Sequence, residues 1–270
     1  MFSNVKMYNT YYNRSSWYPN NYGYGLESIK TACQVLRSFL RYLRYHCVCP
    51  EFDDQLAAAL KICDLAEKEL PKVNAVGIAL PGDFNQSASV IFGGAQAGIH
   101  LGNKPWAQVL RKEGMEIKEI GMRDEEARIK FSTGIAVLGS DEQFDMLEGG
   151  TLKVLNNVFA YLEVTSIQLP SEEAKAKYAE INTKNRKLVL KPLGKLVCKT
   201  MYTNECDSKN YEFWIEEDIL EDCFVGFKMR ANILLGNVTI LDDIQESMCS
   251  FYTWISNELG RPKEVRWIED

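Results

Sequence analysis

This 270-residue chain is poor in imidazole: His46 and His100 are its only histidines. Acid–base or nucleophilic catalysis built on histidine has little to draw on, and neither residue sits in a motif. There is no GxSxG elbow, no P-loop and no HExxH helix. The glycine-rich "FGGAQAG" at 92–98 lacks the lysine and the strand-turn-helix setting of a phosphate cradle. No catalytic residue and no cofactor are assigned, and the chain is expected not to be an enzyme. No run of about eighteen apolar residues occurs, and the N-terminus lacks the basic flank and apolar core of a secretory signal. An intracellular protein with no membrane partner is expected.

The eight cysteines include no CxxC pair, which in a reducing compartment fits small buried apolar residues. His46, Cys47, Cys49 and Cys63 are the candidates for a tetrahedral metal site. Adjacent His46 and Cys47 would point to different sides of a helix end, and Cys-x-Cys before Pro50 is not knuckle geometry. No metal ligand is assigned.

What the chain does contain is enough apolar sequence, 46%, for a sizeable core, with 25% charged residues. A net charge of -6 disfavours a protein whose main work is gripping nucleic acid unaided. Charge is uneven, however. Lys175, Lys177, Lys184, Arg186, Lys187, Lys191, Lys195 and Lys199 outnumber the acids between 171 and 199. Soon afterwards "YEFWIEEDILEDC" concentrates Glu212, Glu216, Glu217, Asp218, Glu221 and Asp222. Such opposed blocks can recognise each other, recognise a partner, or be solvated faces.

Residues 1–24, rich in Tyr and Asn, show no helical or strand period and read as a tail or surface wrap. The remainder, 25–270, is expected to form a single α+β domain, with a helical part at 25–147 and a strand-rich part at 151–270. A helix is expected from Leu26 to about Cys47, and a second from Pro50 to Leu70, stopped by Pro71, the two packing as a hairpin. The small-residue stretch 80–98 reads as a tight turn before a helix or loop. A helix should run from about Asp124 to Gly139, and Ser140 with Gln143 makes a capping box for the next. Period-two alternation marks strands at 158–165 and 223–235, with another at 195–202. Ile244, Met248, Phe251, Ile255 and Leu259 repeat at helical spacing after Asp242 and Asp243. The expected fold is thus a helical N-terminal half packed with a mixed β-sheet and a C-terminal helix.

The candidate interaction residues lie in three places. In "RSFLRYLRYHCVC" at 37–49, Arg37, Arg41 and Arg44 fall at i, i+4 and i+7 beside the apolar row Leu36, Leu40, Leu43 and Cys47. The arginine row is either a solvated rim or a stripe that docks on acidic surface or phosphate. Glu216, Glu217 and Asp218 head the acidic run. Trp17 in "SSWYP", and Trp106 in "KPWAQ", are either aromatic anchors or buried residues. A direct double-stranded RNA contact through the 171–199 lysines remains the alternative function.

Four stretches together, "RSFLRYLRYHCVCPEFDDQLAAALKICDLAEKELP" at 37–71, "LPGDFNQSASVIFGG" at 80–94, "PLGKLVCK" at 192–199 and "CSFYTWISNEL" at 249–259, resemble the fungal Argonaute-binding subunit of the Argonaute siRNA chaperone (ARC) complex. Family members are often longer at the N-terminus, so the resemblance implies a short member or a trimmed chain. It also implies a non-enzymatic partner of Argonaute that works with a second subunit in RNA interference and heterochromatin formation, in nucleus and cytoplasm. Such a subunit holds Argonaute with duplex siRNA, opposes slicing and passenger-strand release, and meets the siRNA indirectly through Argonaute. No family catalytic residue is carried over.

Overall fold

The structure, a computed structural model, describes residues 26–100, 121–184, 188–201 and 208–253. Helix α1 (Leu26–Tyr45), a short 3-10 turn (Pro50–Phe52) and α2 (Asp53–Ala79) form the expected hairpin. Its distal half has its own small core, in which Leu36, Leu40 and Leu43 meet Leu56, Ala59, Leu60 and Cys63. Nearer the base, Ile29 and Cys33 pack on Ala66, with Phe251 against them. The helix does not stop at Leu70: α2 runs through Pro71 to Ala79. A proline inside a helix costs roughly 3 kcal/mol, and the burial of Val73, Val76 and Leu80 against the sheet offsets it.

Helices α3 (Gly82–Phe92), α4 (Asp124–Leu138) and α5 (Asp141–Glu148) follow. The capping box forms as read: Gln143 N–H donates to Ser140 Oγ at 3.2 Å, and Ser140 N–H to Gln143 Oε1 at 3.0 Å. Next come β1 (Val154–Gln168), α6 (Glu172–Lys184), β2 (Leu193–Thr200), β3 (Asn210–Glu216), α7 (Glu217–Asp222), β4 (Lys228–Gly236) and β5 (Ile240–Met248). The fold is α+β. The five described strands form one sheet in the order β3-β2-β1-β4-β5, and every described ladder is antiparallel rather than mixed.

Alternation works as expected on β1, where Ala160, Leu162 and Val164 are buried while Phe159 and Thr165 face out. These join Leu196, Cys198, Phe213, Ile215, Met229, Ala231, Ile233 and Leu241 in the main core. The sheet curls so that its two edges, β3 and β5, approach each other with α3 across both. A second core lies at α3, where Phe84 stacks on Phe131 of α4 with ring centroids 5.5 Å apart and tilts against Trp214 of β3.

Two further elements differ from their sequence reading. The strand expected from Cys223 starts only at Lys228, because Gly226 has φ +89 and turns the chain, leaving Val225 exposed. The helix expected from Asp242 is strand β5 through Met248, and Trp254 onward lies outside the described residues. Asp242 caps no helix: its buried carboxylate accepts from Ser89 Oγ and from Ala95 N–H at 3.0 Å.

Candidate interaction surfaces

The stretch 80–94 joins the helices to both sheet edges through buried polar side chains. Asn85, fully buried, donates from Nδ2 to the carbonyls of Pro81 (3.0 Å) and Trp214 (2.8 Å), and its Oδ1 accepts from Leu241 N–H at 3.0 Å. One carboxamide thus links β3 to β5, supplying a donor and an acceptor to strand edges that would otherwise be unpaired in the core. Gly82, at φ +83, lies against Glu216, and any Cβ there would collide with Glu216 Oε2. These contacts explain why the stretch is so rich in small and polar residues, which the sequence alone left without a role.

The acidic trio does not form a surface patch. Glu216 is buried, and its Oε1 accepts from Phe84 N–H, near the start of α3, at 2.6 Å. Burial, reinforced by the charges of Asp83 and Asp218, pushes its carboxyl up to about 7, against the pull of backbone N–H bonds. An expectation that placed Glu216 at a partner interface is therefore corrected: it faces the inside. Glu217 pairs with Lys175 at 2.7 Å, and Asp218 with Lys191 at 2.6 Å. With Lys195 on Glu212 at 2.9 Å, the opposed blocks recognise each other. Lys177, Lys184 and Lys199 pair with Glu173, Glu180 and Glu163, while Arg186 and Lys187 lie outside the described residues.

The arginine row is largely used within the hairpin as well. Arg37 of α1 reaches Asp64 at 2.9 Å and also Glu67, both on α2. Arg44 grips Asp53 with two bonds of 2.7 and 3.0 Å, which holds the Asp53 carboxyl below its usual range. Arg41 is exposed and has no ion pair among the described residues.

Beside Arg41 runs a feature that the sequence reading passed over. Val35 (63% exposed), Phe39 (54%), Tyr42 (57%) and Tyr45 (84%) stand on the α1 face turned away from α2. Val35, Phe39 and Tyr42 lie at i, i+4 and i+7, the same interval as the arginines, so the signal was present two positions earlier in the chain. His46 extends the stripe, its ring 4.4 Å from that of Tyr42 and 5.0 Å from that of Tyr45. Exposed apolar side chains grouped in this way are a feature that interaction sites share.

Metal and thiol chemistry find no assembled site among the described residues. His46 and Cys47 are exposed, whereas Cys63 lies inside the hairpin core, so the four candidate ligands do not converge. Burial pushes the thiols of Cys33, Cys63, Cys198, Cys223 and Cys249 up, keeping them protonated. Among the described residues, His100 Nδ1 lies 3.4 Å from the Gly121 carbonyl oxygen. No described helix is long and apolar enough to cross a membrane. Trp17 and Trp106 lie outside the described residues.

Residues 13–263 match the family described as Argonaute siRNA chaperone (ARC) complex subunit Arb1. The chain belongs to this family. Among curated relatives, Argonaute-binding protein 1 of Schizosaccharomyces pombe is 24% identical over 233 residues, which is 80% of this chain and 52% of the relative. This Arb1-family chain therefore spans about half the length of that relative. No solved structure matches it. The hairpin, the α3 segment and all five described strands fall within the family-matched range.

Proposed function

We propose that this chain is a non-enzymatic, Argonaute-binding subunit of an ARC complex, and that it docks through the Val35, Phe39, Tyr42 and Tyr45 face with Arg41 at its border. The observation that carries the reading is the uncovered aromatic stripe on a hairpin inside a chain matched to the Arb1 family from 13 to 263. A relative named for Argonaute binding supports the choice of partner. Aromatic side chains with an adjacent arginine are the residue types that dominate interface energetics. In this reading Arg37 and Arg44 position the face by locking α1 to α2, and Glu217 and Asp218 act through their lysine partners.

The chain works with a second subunit, in nucleus and cytoplasm, and serves RNA interference and heterochromatin formation. It holds Argonaute with duplex siRNA and opposes slicing and passenger-strand release. The physics is a population shift. A subunit that binds duplex-loaded Argonaute better than the guide-only form biases the equilibrium by that difference, about tenfold for each 1.4 kcal/mol. Direct RNA gripping by the 171–199 lysines is disfavoured, because the described ones are paired with carboxylates. Affinity measured for Argonaute carrying duplex and for Argonaute carrying guide alone tests the reading. Tighter binding to the duplex-loaded form is expected, and equal affinities would refute the chaperone mechanism.

A further inference from the structure

The hairpin has a second exposed face, on α2. Lys61, Lys68 and Lys72 repeat at i, i+7 and i+11, on the opposite side of the helix from Leu56, Ala59, Cys63 and Ala66, which pack against α1. At 1.5 Å per residue the row steps along the helix by about 10 and then about 6 Å. All three lysines are exposed, and none has an ion pair among the described residues. The lysines of α6 and β2 differ, since each is held by a carboxylate.

The acids that could neutralise the row are engaged elsewhere. Asp64 and Glu67 are both taken by Arg37, and Glu69 accepts from Ser250 N–H at 2.8 Å and from Ser250 Oγ at 2.7 Å. Lys68 and Lys72 are left as a like-charged pair at i, i+4, an arrangement that by itself disfavours the helix. An external anion relieves that repulsion. Exposed acids limit the row to three charges: Asp54 lies about 10 Å beyond Lys61, and Glu221 and Asp222 adjoin Cys223, whose thiol feels the charge of Lys72.

The residue types select the anion. Lysine is depleted from protein–protein interfaces, where arginine is favoured, and it serves as a point-charge binder of phosphate. Single-stranded RNA is held by basic grooves combined with aromatic platforms, whereas the side chain between Lys61 and Lys68 on this face is Leu65, and the exposed aromatic stripe stands on α1. A duplex keeps its bases stacked inside and offers phosphates and 2′-hydroxyls. We propose that the α2 face binds the phosphate backbone of double-stranded RNA, with Lys61, Lys68 and Lys72 each meeting one phosphate. The choice of RNA rests on the functional reading above and adds a direct contact to it: the α1 stripe lies on Argonaute, and the α2 row on the duplex that Argonaute carries. One hairpin touching both gives tighter binding to the duplex-loaded form a physical source.

The test is fluorescence anisotropy of a labelled RNA duplex titrated with the full chain, without Argonaute. Three phosphates predict a slope of about −2.7 in log affinity against log salt, which makes binding about 40-fold weaker at 200 mM salt than at 50 mM. Lys61→Gln, Lys68→Gln and Lys72→Gln together should flatten that slope toward zero and hold the melting temperature, because Gln is a good helix former at exposed positions. The control removes the same charge from paired lysines, through Lys177→Gln, Lys184→Gln and Lys199→Gln, and should keep the slope. Absence of saturable binding at 50 mM salt, wild-type binding by the α2 variant, or equal loss in the control would overturn the proposal. Polyglutamate competing as well as unlabelled duplex would also overturn it, and would assign the row to an acidic protein surface. On Argonaute, the α2 variant should bind the guide-only form as the wild type does and lose its preference for the duplex-loaded form. The titration itself needs no Argonaute, so its failure is distinct from failure of the functional reading.

Discussion

Replacing Glu216 by Gln should change how stability depends on pH more than it changes stability itself. The carboxyl of Glu216 is pushed from 4.5 to about 7, chiefly by burial. The native state therefore holds its proton more tightly than the unfolded chain does. Below about pH 4.5 both states are protonated and nothing is lost. Between 4.5 and 7 the unfolded chain ionises first, so stability falls as pH rises, and above 7 the loss is complete. The full effect is about 3 kcal/mol, at 1.36 kcal/mol per unit, and about 2.5 kcal/mol of it falls between pH 5 and pH 8. Gln keeps an acceptor for Phe84 N–H and cannot ionise. Urea unfolding of wild type and Glu216→Gln at pH 5, 6, 7 and 8 isolates the term, because the other titrations cancel in the difference. The variant should gain on the wild type by about 2.5 kcal/mol over this range. A difference that stays flat, or one that moves in favour of the wild type as pH rises, would show that the carboxyl is not desolvated as described.

Asn85→Leu should destabilise by roughly 2–5 kcal/mol in urea unfolding, since the Trp214 carbonyl and Leu241 N–H lose their shared partner inside the core. Faster amide exchange in β3 and β5 should accompany it, and protection unchanged in both strands would contradict the bridging role. Arg37→Ala should lower the melting temperature more than Arg44→Ala, because the Arg37 side chain is 17% exposed against 41% for Arg44 and engages two α2 carboxylates. The reverse order would show that the arginine row does not lock the hairpin as described.

What could be read from the sequence was local. The hairpin, the Ser140 capping box and the Leu162 face of β1 each follow from a few neighbouring residues, and each is present. Misreadings came where a distant contact decides. Ile244 and Met248 are four apart, an interval that fits a helix but also two even steps of a strand, and pairing with β4 selects the strand. Pro71 marks a stop only until the buried row beyond it is counted. Glu216 sits in a run of acids that looks solvated, yet its partner Phe84 is 132 residues away. The arginines looked available for a partner because nothing in their own segment shows that Asp53, Asp64 and Glu67 lie opposite. The aromatic stripe needed no distant information, only the distinction between two neighbouring rows of the same period.

The most direct measurement is the affinity of purified Argonaute for the full chain carrying Phe39→Ala, Tyr42→Ala and Arg41→Glu together. All three side chains are exposed, so the melting temperature should hold. Affinity should fall at least about 100-fold, as expected when the central aromatic anchors of an interface are removed. A folded triple variant that binds Argonaute as tightly as the wild type would contradict the account.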